Sequence, residues 1–138
     1  MTNTINNIVS TIENVVKPIR ILWLSRHALT IEQLEALKRI YRADVIVKHV
    51  TESVTDWADV VRYGDDCDVL GVVLPQKILM DLVNPRNNTK PVIRANSTFI
   101  PTGKKVVNKA TGQLEDERKF TFLGWKRVKR FVIEEEDL

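Results

Sequence analysis

Four short runs that read as strands recur along the first hundred positions, the first of them nearly all apolar, and three of them are followed by a segment of helical length. The runs are Ile19 to Leu24, Asp44 to Val50, Asp68 to Leu74 and Pro91 to Asn96. A strand that is apolar at successive positions is covered on both faces, which is the habit of parallel sheets. The segments between them read as helices. Thr30-Ile31-Glu32-Gln33 is a capping box, with Leu29 and Leu34 at the staple positions and Glu32 and Glu35 suited to the positive helix end. That helix runs to about Tyr41 with Leu34, Leu37, Ile40 and Tyr41 on one side. Val54 to Tyr63 is a second helix, with Trp57, Val60 and Val61 inward and Gly64 just past its end, where a left-handed residue is usual. Pro75 suits the first position of a third, over 75–83.

Strand–helix alternation implies right-handed crossovers. The expected fold is therefore α/β: a Rossmann-like, mostly parallel sheet with helices on both faces. After position 97 the pattern changes. Lys104 to Asn108 and Leu114 to Phe122 read as two strands around the turn 109–113, and Val128 to Glu134 as a further strand. This end has too few apolar residues for a core of its own, so it is expected to extend the sheet as an antiparallel β-arm over about 97–134. At the other end, Ile5, Ile8, Val9, Ile12, Val15 and Val16 recur at three- and four-residue steps. They predict a short amphipathic helix over 1–17, packing on the domain or on a second copy, hence a homodimer. A chain of 138 residues has room for one ordinary domain, here 18–138.

The bulk composition excludes several classes. A hydrophobic fraction of 43% and a charged fraction of 28% are ordinary globular values. No apolar run approaches the roughly 18–20 residues that cross a bilayer, so no membrane partner is expected. The single cysteine, Cys67, permits no internal disulfide and fits a reducing, cytoplasmic address. Its acidic neighbours Asp65, Asp66 and Asp68 should raise its pKa and keep it inert. Charge is uneven: residues 101–131 carry nine basic groups against three acidic ones, whereas the first hundred carry 12 against 11. Lys126, Arg127, Lys129 and Arg130, interleaved with Trp125 and Phe131, make nucleic acid a possible partner. Strand alternation would put Lys129 and Phe131 on the face opposite Val128 and Arg130, and the aromatics are wanted as core.

In open α/β sheets ligands bind outside the carboxyl ends of the strands. That rule singles out Ser25, Arg26, His27 and Thr30 after the first strand, His49 and Thr51 after the second, and Gln76 after the third. It adds Arg94, Asn96, Ser97 and Thr98 at the end of the fourth. Two arginines, a histidine and several hydroxyl and amide groups converging on one rim would suit an anionic nucleotide. The plainer readings are that Arg26 and Arg94 are surface arginines, that His27 is solvated, that His49 is structural and that Thr30 is a helix cap. No Gly-x-Gly-x-x-Gly or P-loop follows the first strand, and two distant histidines with one cysteine make no zinc site. The sequence therefore calls for no resident cofactor and no metal.

Leu24-Ser25-Arg26-His27-Ala28-Leu29-Thr30-Ile31-Glu32-Gln33, following a buried strand, resembles the opening of small CRISPR-associated proteins of the CARF-like ring-nuclease group. The resemblance implies a nucleotide-sensing fold of antiviral defence, usually dimeric, that binds cyclic oligoadenylate across the subunit interface. In some members a ribose 2′-hydroxyl attacks the adjacent phosphate and cuts the ring without a metal. By that resemblance Ser25 and His27 fall on the ligand loop and Arg26 stabilises phosphate charge. This chain departs from the pattern in its long basic β-region and in the arginine between the serine and the histidine. The alternative expectation is a non-enzymatic phage- or defence-associated module that holds nucleic acid or protein through the basic β-region.

Overall fold

The computed structural model describes residues 17–138, and the helix expected over 1–17 lies almost wholly outside that range. Eight elements follow in order: β1 (Ile19–Leu24), α1 (Ile31–Tyr41), β2 (Val45–Val50), α2 (Trp57–Tyr63), β3 (Val69–Val72), α3 (Gln76–Leu82), β4 (Val92–Val107) and β5 (Leu114–Val128). The sheet runs β2-β1-β3-β4-β5. The first four strands are parallel neighbours, and β5 returns antiparallel along β4. The expected α/β architecture, with an antiparallel extension after the parallel core, is what forms. Among the described residues no helix is long and apolar enough to cross a membrane.

Alternation along β1 explains the layers. Ile21 points to one side, where Leu37 of α1, Val69 and Ile93 close a small core. Leu22 and Leu24 point to the other, where Val60 of α2 and Leu79 and Leu82 of α3 build the larger one with Val50, Leu70, Val72 and Val92. A strand sandwiched in this way has no polar face to offer, which is why its sequence reads as an unbroken apolar run.

The helix ends obey local chemistry. Thr30 Oγ1 accepts from the Gln33 amide at 3.1 Å while Gln33 Oε1 accepts from the Thr30 amide at 3.0 Å, so the capping box closes in both directions. Asp56 caps α2 by accepting from the Ala58 amide at 2.6 Å. Pro75 stands at the N-cap of α3 with an extended backbone, one position before the place the sequence suggests. Gly64 also departs from expectation. Its φ is −94°, not left-handed, and the left-handed cap belongs to Arg42 after α1, with φ 51°. What requires glycine at 64 is space, since a Cβ there would collide with Leu70 Cδ2, itself fully buried.

The arm differs most from the sequence reading. β4 does not stop near 96 but continues for 16 residues, and β5 pairs with it from Leu114 back to Val128. Two irregularities bend the ribbon: one beside Asn96 and Ser97, opposite Gly124 with φ 131°, and one between Pro101 and Lys105. The first leaves Leu123 of β5 as an extra residue, the defining feature of a bulge, and the second sets Thr102, Gly103 and Lys104 of β4 against Glu117 alone. The strand expected over 128–134 does not form beyond Val128. β5 ends at Val128, whose partner is Val92, the first residue of β4, so beyond it there is nothing to pair with. From Phe99 to Phe120 the arm stands clear of the core, with Phe99 and Phe120 meeting edge to face at 5.3 Å.

Candidate functional site

The loop after β1 is held on several sides. Ser25 donates its amide to Val50 O at 3.1 Å, and Val73 donates to Leu24 O at 3.2 Å, so the loop springs from strand ends that are level with one another. The Ser25 carbonyl accepts from His49 Nε2 at 2.8 Å. A carbonyl can only accept, so Nε2 carries the proton there. Trp23 Nε1 donates to the His27 carbonyl at 2.8 Å, and the His27 amide donates to Ser25 Oγ at 3.3 Å. Trp23 in turn lies edge-on to Trp125 at 5.4 Å, and Trp125 Nε1 donates to Gln33 O at 3.0 Å. Both carbonyls that flank Arg26 are thus tied to aromatic rings of the scaffold. The side chains of Arg26 and His27 remain exposed.

A hollow of about 400 Å³ opens over this loop, lined by residues 24–27, Thr51 to Val54, and Val73 to Pro75. Its three walls are the segments that follow β1, β2 and β3. In the order β2-β1-β3 the chain leaves β1 to one side for β2 and returns past it to β3. The hollow therefore sits where strand order reverses, which is where doubly wound sheets bind ligands. Its floor is apolar (Leu24, Val54, Leu74), with Val73 and Pro75 exposed at its edge, and its polar groups are Ser25, Arg26, His27, Thr51, Glu52 and Ser53.

The residues singled out from sequence divide into several groups. Ser25, Arg26, His27 and Thr51 share the hollow. His49 stands behind it and fixes the Ser25 carbonyl. Thr30 is engaged in the capping box, and Gln76 is the exposed first residue of α3; neither lines the hollow. Arg94 faces a different hollow beside Leu79 and Lys126. Asn96 and Ser97 are consecutive strand residues at the first bulge, and with Thr98 they lie outside the Ser25–His27 hollow. The reason is the continuation of β4: no strand ends at 96, so no rim loop exists there. The expectation that 25–27, 76 and 94–98 face one common hollow is corrected accordingly. Glu52 and Ser53 also line the hollow, one and two residues beyond the Thr51 that the strand-end rule picks.

Ionisation elsewhere is set by packing. Burial first, and then the Asp66 carboxylate, push the Cys67 thiol up. Asp66 is itself held below its ordinary range, first by the bond from Lys48 Nζ at 3.0 Å, with Arg20 adding a weaker attraction. Among the described residues there is no cluster of three or more histidine, cysteine or carboxylate groups that could hold a metal ion.

The site defines a doubly wound α/β domain with an open polar hollow at its strand-order reversal. No protein-family model matches the chain, and no curated protein or solved structure matches it.

Proposed function

We propose that the chain is a nucleotide-binding domain whose hollow takes a phosphodiester-linked adenylate, with cyclic oligoadenylate as the ligand class. The observation that carries this reading is the meeting of Arg26, His27 and several hydroxyls over an apolar floor at the reversal of strand order. Such crevices accept nucleotides in this architecture. The apolar floor suits a base, and Arg26 suits a phosphate, since guanidinium presents its donors in a fork that matches paired oxygens.

Glu52 sharpens the ligand class. A carboxylate beside a phosphate site repels a second phosphate but accepts well from a sugar hydroxyl. Dinucleotide-binding folds place an acidic residue near the ribose in this way, about 20 residues beyond the phosphate loop. The hollow thus suits a nucleotide better than a bare polyphosphate.

If the bound ring is cut, the reaction is an internal transfer. The ribose 2′-oxygen bonds to phosphorus, the P–O5′ bond breaks, the 2′-hydroxyl proton passes to a base and a proton reaches the departing 5′-oxygen. His27 is the imidazole that lines the hollow and fits the proton-transfer role; Arg26 fits the charge on the phosphoryl oxygens. The reading places the chain in the reducing cytoplasm, where Cys67 stays a free thiol, and carries a homodimer with it.

The test is incubation with labelled cyclic oligoadenylates in EDTA, followed by chromatography. Binding and slow ring opening are expected, with His27→Ala removing turnover and Arg26→Ala weakening both. Absence of binding at millimolar ligand overturns the nucleotide reading; binding without turnover overturns only the nuclease part. Light scattering at micromolar concentration should give the mass of two chains, and a monomer counts against the assembly.

A further inference from the structure

A second polar region lies on the far side of α3 from the nucleotide hollow, and its charge is of one sign. Arg94 and Lys126 are directly paired across β4 and β5, so two cations share one face at neighbouring positions. Like charges in that arrangement oppose sheet formation unless an anion comes between them. Arg94, Lys126, Lys129 and Arg130 border a hollow of about 290 Å³ with Phe131, while Arg127, paired with Ile93, turns to the α1 face toward Tyr41. The ion pairs among the described residues use Arg20, Lys48, Arg62 and Lys105; none uses any of the four cations bordering the hollow. A neighbouring hollow of about 520 Å³ shares Val128 and Lys129 and continues past Asn88 and Thr89. The two together make a trough along the end of β5.

The aromatic is also available. A strand over 128–134 would have sent Phe131 and Arg130 to opposite faces. Because β5 ends at Val128, strand alternation no longer separates them, and Phe131 borders the same hollow with 37% of its surface exposed.

We propose that this trough is a binding site for single-stranded nucleic acid, with the cations following the phosphodiester backbone and Phe131 stacking on a base. Unpaired cations along a groove with an exposed ring at one end are what sequence-tolerant strand binding requires. An acidic protein segment would use the charge but has no need of the ring. The site shares no residue with the nucleotide hollow and stands independently of it.

The experiment is fluorescence anisotropy of the full chain with labelled 20-nucleotide DNA and RNA single strands and a DNA duplex, at 50–300 mM salt. Single strands should bind more tightly than duplex, with log K falling against log salt at a slope of about −3 for about four phosphate contacts. The pair Lys129→Glu and Arg130→Glu, both outside the strands, should weaken binding at least tenfold and flatten the slope. Phe131→Ala should weaken it with the slope unchanged. Arg26→Ala should leave it intact, while the circular dichroism melt of each variant reports that it is folded. Preference for DNA over RNA, or the reverse, would name the source of the strand and supports the proposal either way. No binding at 50 mM salt overturns it. So does duplex binding as tight as single-strand binding, retention of affinity in the doubly reversed variant, or equal affinity for polyglutamate of the same charge.

Discussion

At the scale of single residues, the energetics concentrate where backbone or charge is unusual. Arg42 holds a left-handed backbone at the end of α1 with φ 51°, a conformation that costs a side-chain-bearing residue roughly 1 kcal/mol. Its replacement by glycine should stabilise the domain by up to about 1 kcal/mol, less the greater freedom glycine gains when unfolded. Urea unfolding reads this as a higher midpoint at unchanged slope; a lower midpoint would mean that the arginine side chain makes a contact of more value than the strain. Asp66 and Asp59 are both held below their ordinary pKa. For Asp66 the main cause is the bond from Lys48; for Asp59 it is the Thr55 amide, followed by Arg62. A depressed carboxyl stabilises the fold above its unfolded value of about 3.9, and that contribution vanishes as pH falls through the lower folded value. Asp66→Asn should therefore unfold more easily than the wild type at pH 7 and indistinguishably from it once the pH is well below 3.9. The Asp66 carboxylate is half exposed, so the difference is small. Cys67 completes the residue scale: 3% exposed and with its thiol pushed up, it should react with iodoacetamide at pH 8 only as fast as the domain opens.

At the scale of elements, the fold was readable where a segment carries its own instructions. β1, β3 and the start of β4 show as apolar runs because each is buried in the sheet, β2 shows less clearly because it is the edge strand with Ile46 exposed, and α1 shows because its capping box is a local structure. The arm was only half readable. Pro101-Thr102-Gly103 looks like a break, yet β4 crosses it as a bulge in which Thr102 Oγ1 donates to Glu117 O at 3.4 Å. The partner that makes this possible lies 15 residues away, beyond any local window. Val128 to Glu134 has the composition of a strand and fails to become one because β4 starts at Val92 and offers no further partner. The site follows the same division. The rule about strand ends brings Ser25, Arg26, His27 and Thr51 to one hollow, whereas Arg94, Asn96 and Ser97 lie outside it because β4 runs on past 96. Trp125 shows what long-range pairing adds. It ties β5 to α1 through Gln33 O and to the site through Trp23. Trp125→Phe loses the hydrogen bond and should cost about 1 kcal/mol. Trp125→Ala loses the ring as well and should cost about 3 kcal/mol or more. Because the alanine variant also frees Trp23, which holds the His27 carbonyl, it should weaken nucleotide binding at temperatures where it remains folded. Unchanged binding there would separate the aromatic pair from the site.

At the scale of the molecule, a doubly wound core and a projecting ribbon are joined where the first residues of β4 pair with the last residues of β5. Every buried apolar side chain among the described residues lies between Ile21 and Ile93, and the half-buried Phe122 and Trp125 are the aromatic anchors that β5 contributes. An isolated two-stranded ribbon is marginal in water, so the distal arm contributes little to the core and depends on it. Thr98 and Thr121 are cross-strand partners, which makes them the natural place to shorten the arm. Joining them through Asn-Gly, in place of residues 99–120, gives a two-residue hairpin whose turn matches the twist of its strands. The shortened chain should fold with a melting temperature within a few degrees of the full chain, about 1 kcal/mol of difference for a domain of this size. In the full chain, amides between positions 99 and 120 should exchange orders of magnitude faster than those of β1 and β3, because opening the ribbon exposes none of the core. Cooperative loss of the core on shortening, or amides near Phe99 and Phe120 protected as strongly as those of Leu22 and Leu70, would mean that the arm is part of the folding unit. The charge carried on Lys126 to Arg130 would then need to be considered together with the ribbon rather than with the sheet.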